Sequence, residues 1–135
     1  MGSLLVEGID AYKSYRYMQG YDLVAVSPEK NTTALIQVKS RWASDAIGFL
    51  VKNYDCDFIV FTQLNRGFRY KNYKDRKKWS EGRSQPESYV FPAKLVKRYR
   101  NRNSKWGQVT LKNIPNYQHY KERWDLIRKF LKVRK

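Results

Sequence analysis

The amino-acid sequence predicts an α/β (α+β) protein with a mixed central β-sheet flanked by helices. Three observations predict it: two β-branched segments joined by a turn, a further apolar run of strand length, and a helical stripe of apolar residues near the C-terminus. A chain of 135 residues suffices for one compact domain and is too short for two. We therefore expect residues 1–135 to form a single domain.

The first predicted elements are a short helix and a strand. Residues 4–6 are apolar, and Gly8, a residue type that commonly ends helices, follows them. Residues 11–17 are rich in tyrosine and are predicted to form the first strand.

A β-hairpin is predicted next, over residues 21–26 and 34–39. Both segments are rich in β-branched and apolar residues. Residues 27–32 between them contain Ser, Pro, Asn and Thr, which are typical of turns. This hairpin is the part of the chain most clearly defined by local sequence.

The predicted hairpin places three polar side chains on one face. Side chains alternate along a strand, so Gln37 and Lys39 share a face. A turn centred near residues 29–30 places Asp22 opposite Gln37, and a register two residues away places it opposite Lys39. In either register a carboxylate, an amide and an ammonium group converge within about 5–8 Å. Such a group on an otherwise apolar hairpin indicates a functional site.

A helix and a buried strand are predicted after the hairpin. Ser44 can cap a helix over residues 44–53. Residues 57–64 form a nearly continuous apolar run, as expected for a strand covered on both faces. A βαβ-type crossover would place this strand beside residues 34–39. The residues on the apolar face of the predicted helix are Ala46, Ile47, Leu50 and Val51.

Residues 65–87, the basic arm, differ in kind from the rest of the chain. They combine basic and aromatic side chains with no regular period. Long connections inside compact domains are usually functional or disordered. The functional interpretation is an insertion that grips a phosphate backbone, and the alternative is a solvated loop.

The remaining segments predict two strands and two helices. Residues 89–91 have strand character, and Pro92 can open a helix over residues 93–99. One more strand is predicted over residues 106–114, and a C-terminal helix over residues 117–133. The core-facing stripe of this last helix comprises Tyr120, Trp124, Ile127 and Leu131.

Composition predicts a nucleic-acid partner. Lys and Arg total 28 against 12 acidic residues, which gives a formal net charge of +16. This excess favours a polyanion through counterion release. Aromatic residues interleaved with the basic ones suit stacking on bases and packing against sugars. The candidate nucleic-acid-binding residues are Arg41, Arg66, Arg69, Lys71, Lys74, Arg76, Lys77, Lys78, Lys97, Arg98 and Arg100.

Other classes of protein are disfavoured. No stretch approaches 18 apolar residues and no signal peptide is visible, so we expect no membrane partner. The single Cys56 excludes a disulfide framework and suits a reducing, cytoplasmic environment. His119 is the one histidine, and with one cysteine it cannot build a zinc site.

The trio Asp22, Gln37 and Lys39 resembles the motif of the PD-(D/E)XK nuclease superfamily. This superfamily includes restriction enzymes, archaeal Holliday-junction resolvases and some intron-encoded homing endonucleases. Its members carry an Asp at the start of the second core strand and a Glu/Gln-x-Lys on the third. Here Asp22 matches the Asp, Gln37 the Glu/Gln position and Lys39 the lysine. The resemblance covers residues 4–96 and implies a restriction-endonuclease-like core.

The resemblance implies a metal-dependent endonuclease that hydrolyses DNA phosphodiester bonds. Asp22 would be the principal ligand of Mg²⁺ or Mn²⁺, with the Gln37 carbonyl and the Val38 backbone carbonyl as further ligands. Lys39 would orient the attacking water or stabilise charge on the phosphate. Members usually carry another acid on a helix before the Asp strand, and Glu7, at the end of the first predicted helix, is the candidate here.

The resemblance also implies partners and a location. The substrate would be DNA, including structured or branched DNA, and members often act as dimers or tetramers, so a homo-oligomer is expected. The protein would be cytoplasmic, and associated with the nucleoid if prokaryotic.

Two alternatives remain open at this stage. One is a nucleic-acid-binding module that keeps the nuclease fold without useful catalysis. The other is an unrelated basic RNA- or ribosome-associated αβ protein in which Asp22 and Lys39 form a structural ion pair. Geometry distinguishes a nuclease from a structural ion pair. A nuclease needs Asp22, Gln37 and Lys39 in an open, positively rimmed cleft, whereas an ion pair would be occluded.

Overall fold

A five-stranded mixed sheet and a separate two-stranded sheet form the framework. The computed structural model describes residues 1–14, 20–71, 73–75 and 78–132. The helices are α1 (Gly2–Val6), α2 (Ala93–Tyr99) and α3 (Asp125–Leu131), with short 3₁₀ turns at Leu111–Asn113 and Tyr117–Tyr120. The strands are β1 (Asp10–Lys13), β2 (Leu23–Ser27), β3 (Thr32–Arg41), β4 (Gly48–Leu50), β5 (Phe58–Gln63), β6 (Glu87–Pro92) and β7 (Gln108–Thr110).

The predicted α+β fold with a mixed central sheet is confirmed. The large sheet has the order β1-β2-β3-β5-β6. Strands β2 and β3 form the predicted antiparallel hairpin, and β5 runs parallel to β3, with Ile36 paired to Phe58. The predicted position of the 57–64 strand beside the hairpin is therefore correct. The 10-residue strand β3 is the centre of the sheet.

Strand β5 is apolar because it separates two hydrophobic cores. Its Phe58 and Val60 join the core cluster that contains Ile36 and the α3 residues Ile127 and Leu131. The alternate residues Ile59 and Phe61 belong to the second core cluster, with β6, α2 and β7. Both faces of β5 are thus covered, which explains its lack of polar alternation.

The helix predicted over residues 44–53 is wrong. The chain instead forms a turn and then β4, which pairs antiparallel with β7. Gly48 enables this pairing, because a Cβ there would lie 1.9 Å from the carbonyl oxygen of Val109. Ile47 and Leu50, assigned to a buried helical face, are 64% and 43% exposed. A glycine inside a helix is unfavourable, so the local signal already opposed a helix there.

The C-terminal helix is shorter than the predicted 117–133. Residues before α3 form a 3₁₀ turn, and Lys121 then makes an isolated bridge with Tyr89 of β6. Glu122 has φ 53°, in the left-handed region, and its N–H donates to the Ser88 carbonyl at 2.8 Å. Pairing with the sheet therefore replaces helix in this stretch. Residue 133 lies outside the described residues.

The residues of the predicted core-facing stripe of the C-terminal helix pack against two different core clusters. Ile127 and Leu131 are fully buried on α3, as predicted. Trp124 is partly buried against the same cluster and donates its Nε1–H to Glu122 at 2.7 Å. Tyr120 packs against the second cluster instead. The stripe is therefore half helical and half part of an irregular connection.

The other predicted elements are confirmed in part. Helix α2 matches the prediction for residues 93–99, and β6 extends the predicted strand 89–91 by a few residues. The strand predicted over residues 106–114 is limited to β7. Strand β1 covers the start of the predicted 11–17 strand, and residues 15–17 lie outside the described residues. In the part of the chain that the structure describes, no helix is long and apolar enough to cross a membrane.

Candidate functional site

The open end of the β2–β3 hairpin brings Asp22 beside the strand that carries Gln37 and Lys39. Leu23 pairs with Ile36, and the N–H of Asp22 donates to the Ile36 carbonyl at 2.8 Å. The Oδ2 atom of Asp22 accepts a hydrogen bond from the N–H of Val38 at 2.7 Å. The backbone of β3 thus fixes the orientation of this carboxylate.

Gln37 is oriented by two backbone acceptors. Its Nε2 donates to the carbonyls of Gly20 and Asn53, at 2.8 and 2.9 Å, and the residue is only 6% exposed. Its Oε1 atom is buried and accepts no hydrogen bond from the described residues. A buried acceptor without a donor is uncommon and calls for an explanation.

Gly20 allows this arrangement. It has φ 91°, and a Cβ there would lie 2.9 Å from the carbonyl oxygen of Asp55. A larger residue would push this segment away from the loop that contains Asn53 and Asp55. The two carbonyls that hold the Gln37 amide are therefore brought together by a glycine.

The candidate residues line one cavity, which we call the Asp22 cavity. Its volume is about 340 Å³. Asp22 is exposed, and no Asp22–Lys39 ion pair within 4.0 Å forms in the structure. The occluded structural ion pair considered from the sequence is thus absent for these two described residues. The lining residues are Gly20, Tyr21, Asp22, Gln37, Val38, Lys39, Leu50, Lys52 and Asn53.

The backbone carbonyl of Val38 faces the same side as Asp22. In an antiparallel ladder the N–H and C=O of one residue point to the same edge of the strand. The N–H of Val38 points toward the β2 side, since it donates to Asp22 Oδ2. The first residue of β2 is Leu23, which pairs with Ile36. Val38 is two residues farther along β3, so its carbonyl lies beyond the end of β2 and has no partner strand on that side among the described residues.

Glu7 does not join this group. Its carboxylate pairs with the guanidinium of Arg128, with both side chains largely buried, and Glu7 does not line the Asp22 cavity. The pair connects the end of α1 to α3 and stabilises the packing of two terminal elements. The upstream acid expected from the sequence is therefore engaged elsewhere, because its helix docks on α3.

The donor set of the Asp22 cavity suits a hard divalent cation more than zinc. The described residues contain no group of three or more His, Cys, Asp or Glu side chains that could hold a metal ion. The oxygens available are a carboxylate of Asp22, the unpartnered amide oxygen of Gln37 and the carbonyl of Val38. Magnesium accepts such a set when water and substrate phosphate complete its octahedron.

The basic arm is attached through Asp45. This carboxylate accepts hydrogen bonds from the N–H groups of Arg69 at 3.1 Å and Lys71 at 2.8 Å. Burial raises the pKa of Asp45, but the N–H donors of Lys71, Arg69 and Tyr70 together lower it more, so the pKa lies below its ordinary value. The arm is thus tied to the turn that precedes β4.

The predicted nucleic-acid-binding residues occupy different environments. Arg41 donates to the hydroxyl of Tyr70, so it is bound to the arm. The ammonium of Lys71 lies 4.9 Å from the centre of the Phe68 ring. Arg66, Lys74 and Lys78 are exposed on the arm, while Arg76 and Lys77 lie outside the described residues.

A second cavity, the basic cavity, contains residues that sequence reasoning missed. It measures about 590 Å³, and Lys97 and Arg100 of the predicted set line it. Arg98 stacks over Tyr99 at 5.5 Å and does not line it. Arg102 and Lys105 continue the series of basic residues that begins at Lys97, so the sequence held a signal for them, whereas nothing local pointed to Lys52. The missed basic residues are Lys52, Arg102 and Lys105.

Comparison with known proteins identifies the fold. The structure is similar to that of a solved bacterial homing endonuclease, I-Ssp6803I, with a TM-score of 0.51 and 22% sequence identity. The match covers 93% of this chain and 80% of that chain. No family model matches the sequence, and no curated protein matches it. Because the identity is low, the likeness establishes a shared fold.

Proposed function

We propose that this chain is a metal-dependent endonuclease that hydrolyses DNA phosphodiester bonds, with Asp22, Gln37 and Lys39 arranged as in the PD-(D/E)XK superfamily. The observation that carries the proposal is the buried Oε1 atom of Gln37, which accepts no hydrogen bond from the described residues. A divalent cation shared with the Asp22 carboxylate would satisfy this oxygen. Without such a partner, its burial carries a desolvation penalty of about 1–3 kcal/mol.

Three oxygens would hold the cation: a carboxylate oxygen of Asp22, Oε1 of Gln37 and the carbonyl of Val38. When bound, Mg²⁺ or Mn²⁺ supplies charge neutralisation at the phosphate and a more acidic bound water. One carboxylate is a small ligand charge for a divalent ion, so tight binding depends on phosphate oxygens from DNA. We therefore expect metal and DNA to bind cooperatively.

The protein side chains have separable roles. The Val38 N–H holds one oxygen of Asp22, which leaves the other oxygen to face the cavity. The Gly20 and Asn53 carbonyls fix the Gln37 amide so that its oxygen, and not its nitrogen, is the available atom. Lys39 lines the same cavity, and its ammonium group would orient a water or stabilise negative charge that develops on the phosphate.

The charge of the chain and the fold support DNA as the substrate. A net charge of +16 favours a polyanion, and Lys39 and Lys52 both line the Asp22 cavity. The solved structure with a similar fold is that of a homing endonuclease. The superfamily resemblance adds the expectation of a homo-oligomer, which light scattering of the purified protein measures directly.

A plasmid-nicking assay in Mg²⁺, Mn²⁺ and EDTA tests the proposal. Wild-type protein should cleave only with metal, and Asp22→Asn, which preserves shape, should lower the rate by at least about 100-fold. Lys39→Ala should lower the rate with less effect on metal binding. Lys30→Glu, at the far end of the hairpin, is the control and should cleave normally. Cleavage by Asp22→Asn at the wild-type rate would exclude this site.

Gln37→Glu is the informative gain-of-charge variant. If Gln37 lies in the metal coordination sphere, a carboxylate there should tighten Mn²⁺ binding in the absence of DNA by about tenfold, which corresponds to about 1.4 kcal/mol. Isothermal titration calorimetry measures this. The variant also loses the two hydrogen bonds from Nε2 to the Gly20 and Asn53 carbonyls, so thermal unfolding must first verify that it folds. Unchanged Mn²⁺ affinity, together with retained cleavage, would remove Gln37 from the coordination sphere.

The second candidate function is DNA binding without cleavage. The observation that favours it is the engagement of Glu7 with Arg128, which leaves Asp22 as the one carboxylate among the residues that line the Asp22 cavity. Wild-type protein that binds DNA but cleaves it in no divalent metal would favour this candidate over the endonuclease.

A further inference from the structure

The basic cavity and the Asp22 cavity share a wall. Lys52 and Asn53, which follow β4, line both. The Gln37 amide is hydrogen-bonded to the carbonyl of this same Asn53 at 2.9 Å. A polymer that enters one cavity therefore meets the other directly.

The lining of the basic cavity is strongly cationic. Five cationic side chains face one carboxylate, that of Asp55. The cavity volume of about 590 Å³ is much larger than a single small anion occupies. Several cations that line one cavity can neutralise successive phosphates of a nucleic-acid backbone. The five cationic residues are Lys52, Lys97, Arg100, Arg102 and Lys105.

The loop that carries Arg102 and Lys105 is held in place by backbone contacts. The N–H of Val51 donates to the Gly107 carbonyl at 2.9 Å, and the N–H of Asn101 donates to the Gln108 carbonyl at 3.0 Å. Gly107 has φ 72°, and a Cβ there would lie 2.2 Å from the carbonyl oxygen of Val51. Glycine is thus needed for this close approach.

Side-chain contacts also order the cationic loop and its neighbours. Ser104 Oγ accepts a hydrogen bond from the N–H of Gln108 at 3.1 Å, which closes the turn. Arg100 donates to the carbonyl of Lys97 and lies 6.0 Å from the centre of the Tyr54 ring. Cations ordered before binding lose less conformational entropy when they contact a ligand.

We propose that the basic cavity binds the phosphates of the DNA strand that flank the phosphate held in the Asp22 cavity. The proposal rests on the proposed function for the identity of the reacting phosphate, but the binding role is measured separately. Because Lys52 and Asn53 line both cavities, one DNA strand can contact the two cavities with neighbouring phosphates. The grip on DNA is then beside the reacting phosphate and separate from the basic arm.

A charge-reversal pair tests the proposal. Arg102→Glu/Lys105→Glu should weaken binding of a fluorescein-labelled duplex by at least about 10-fold in fluorescence anisotropy with EDTA, and should lower the slope of log K against log salt by about 1.8, or 0.9 per lost contact. The matched control, Lys30→Glu/Lys132→Glu, makes the same change in net charge at the hairpin turn and the end of α3. Thermal unfolding of both variants verifies that they fold.

Equal DNA affinity and equal salt slope in the cavity and control variants would overturn the proposal. Cleavage kinetics separate it from the proposed function, because the cavity variant should raise KM for DNA while Asp22→Asn lowers kcat. A wild-type protein that cleaves nothing, together with a cavity variant that loses DNA binding, would retain the cavity proposal and reject the nuclease.

Competition with inorganic phosphate distinguishes a DNA backbone from a small-anion ligand. At matched ionic strength, phosphate should displace the labelled duplex no better than chloride does if several cations act on one strand. Displacement by low millimolar phosphate that the cavity variant abolishes would overturn the proposal in favour of a free-phosphate site.

Discussion

The basic arm and the basic cavity are both rich in Lys and Arg, but their cations are held differently. The arm is a single continuous segment that includes Asp75, Glu81 and Glu87 among its cations, and its backbone is tied to Asp45. The basic cavity assembles cations from two segments around one carboxylate, Asp55. Clusters of cations therefore arise in two ways, within one continuous segment and from segments that folding brings together.

The position of the two regions relative to the candidate metal site also differs. The basic cavity shares Lys52 and Asn53 with the Asp22 cavity. The arm meets β3 through Arg41, two residues beyond Lys39, which corresponds to about 6.6 Å along a strand. Tertiary contacts therefore place the basic cavity directly beside the Asp22 cavity, whereas the arm contacts the sheet farther along β3.

The largest expected effect comes from undocking the loop of the basic cavity. Gly107→Ala adds a Cβ 2.2 Å from the Val51 carbonyl at φ 72°, so the loop must move. We expect a loss of about 3 kcal/mol in the free energy of unfolding, at the upper end of backbone strain, together with weaker DNA binding. Chemical denaturation and anisotropy measure the two effects.

Gly8→Ala is the matched control for this variant. Gly8 has φ 75°, nearly that of Gly107, but a Cβ there has nothing within 4 Å. The free energy of unfolding should fall by only about 1 kcal/mol, because alanine disfavours the left-handed backbone conformation, and the variant should bind DNA normally. Equal losses in the two variants would mean that the close approach to Val51 contributes nothing.

A smaller effect is expected when cations of the basic cavity and of the basic arm are replaced in turn, which measures how much each region contributes to DNA binding. Neutralising Lys97 and Arg100 to Ala should lower the salt slope by about 1.8 if both contact phosphate. Neutralising Arg69 and Lys74 on the arm should lower it by less, because the proposed path of the DNA strand runs through the basic cavity and the Asp22 cavity, which neither residue lines. Anisotropy titrations across a NaCl series give both slopes. A larger decrease in the salt slope for the arm variant than for the cavity variant would mean that the arm makes most of the phosphate contacts.

The smallest expected effect concerns the attachment of the arm. Asp45→Asn should weaken the hydrogen bonds to the N–H groups of Arg69 and Lys71 and increase the rate of limited proteolysis within the arm several-fold, on the order of a 1 kcal/mol change in local opening. DNA affinity should change less than in the cavity variants. Unchanged proteolysis would show that Asp45 does not restrain the arm.

The attachment should also depend on pH. The pKa of Asp45 is lowered in the folded protein from its ordinary value of 3.8. The stabilisation is therefore fully present above the unfolded pKa and is lost as pH falls through the lower folded pKa. Proteolysis of the arm by an acid protease should accelerate in wild type below about pH 4, and Asp45→Asn should remove that acceleration.

Local sequence determined the hairpin and the shared placement of Asp22, Gln37 and Lys39. Strand alternation and a turn of limited length leave few registers, and each register brings these side chains together. The prediction for α2 succeeded for a similar reason, since Pro92 marks its start and short-range periodicity its extent. The overall charge, and with it the expectation of a polyanion partner, follows from composition alone.

Tertiary structure decided the features that depend on distant segments. Gly48 is in a strand because Val109, sixty-one residues later, approaches it too closely for a side chain. Glu7 is paired with Arg128 because the two terminal helices pack together. The basic cavity joins Lys52 to the 101–107 loop through the Val51–Gly107 contact. Local periodicity shows which face of a helix or strand is apolar. The free energy of contacts between distant segments depends on which of those segments can approach each other, and only the folded chain specifies which ones do.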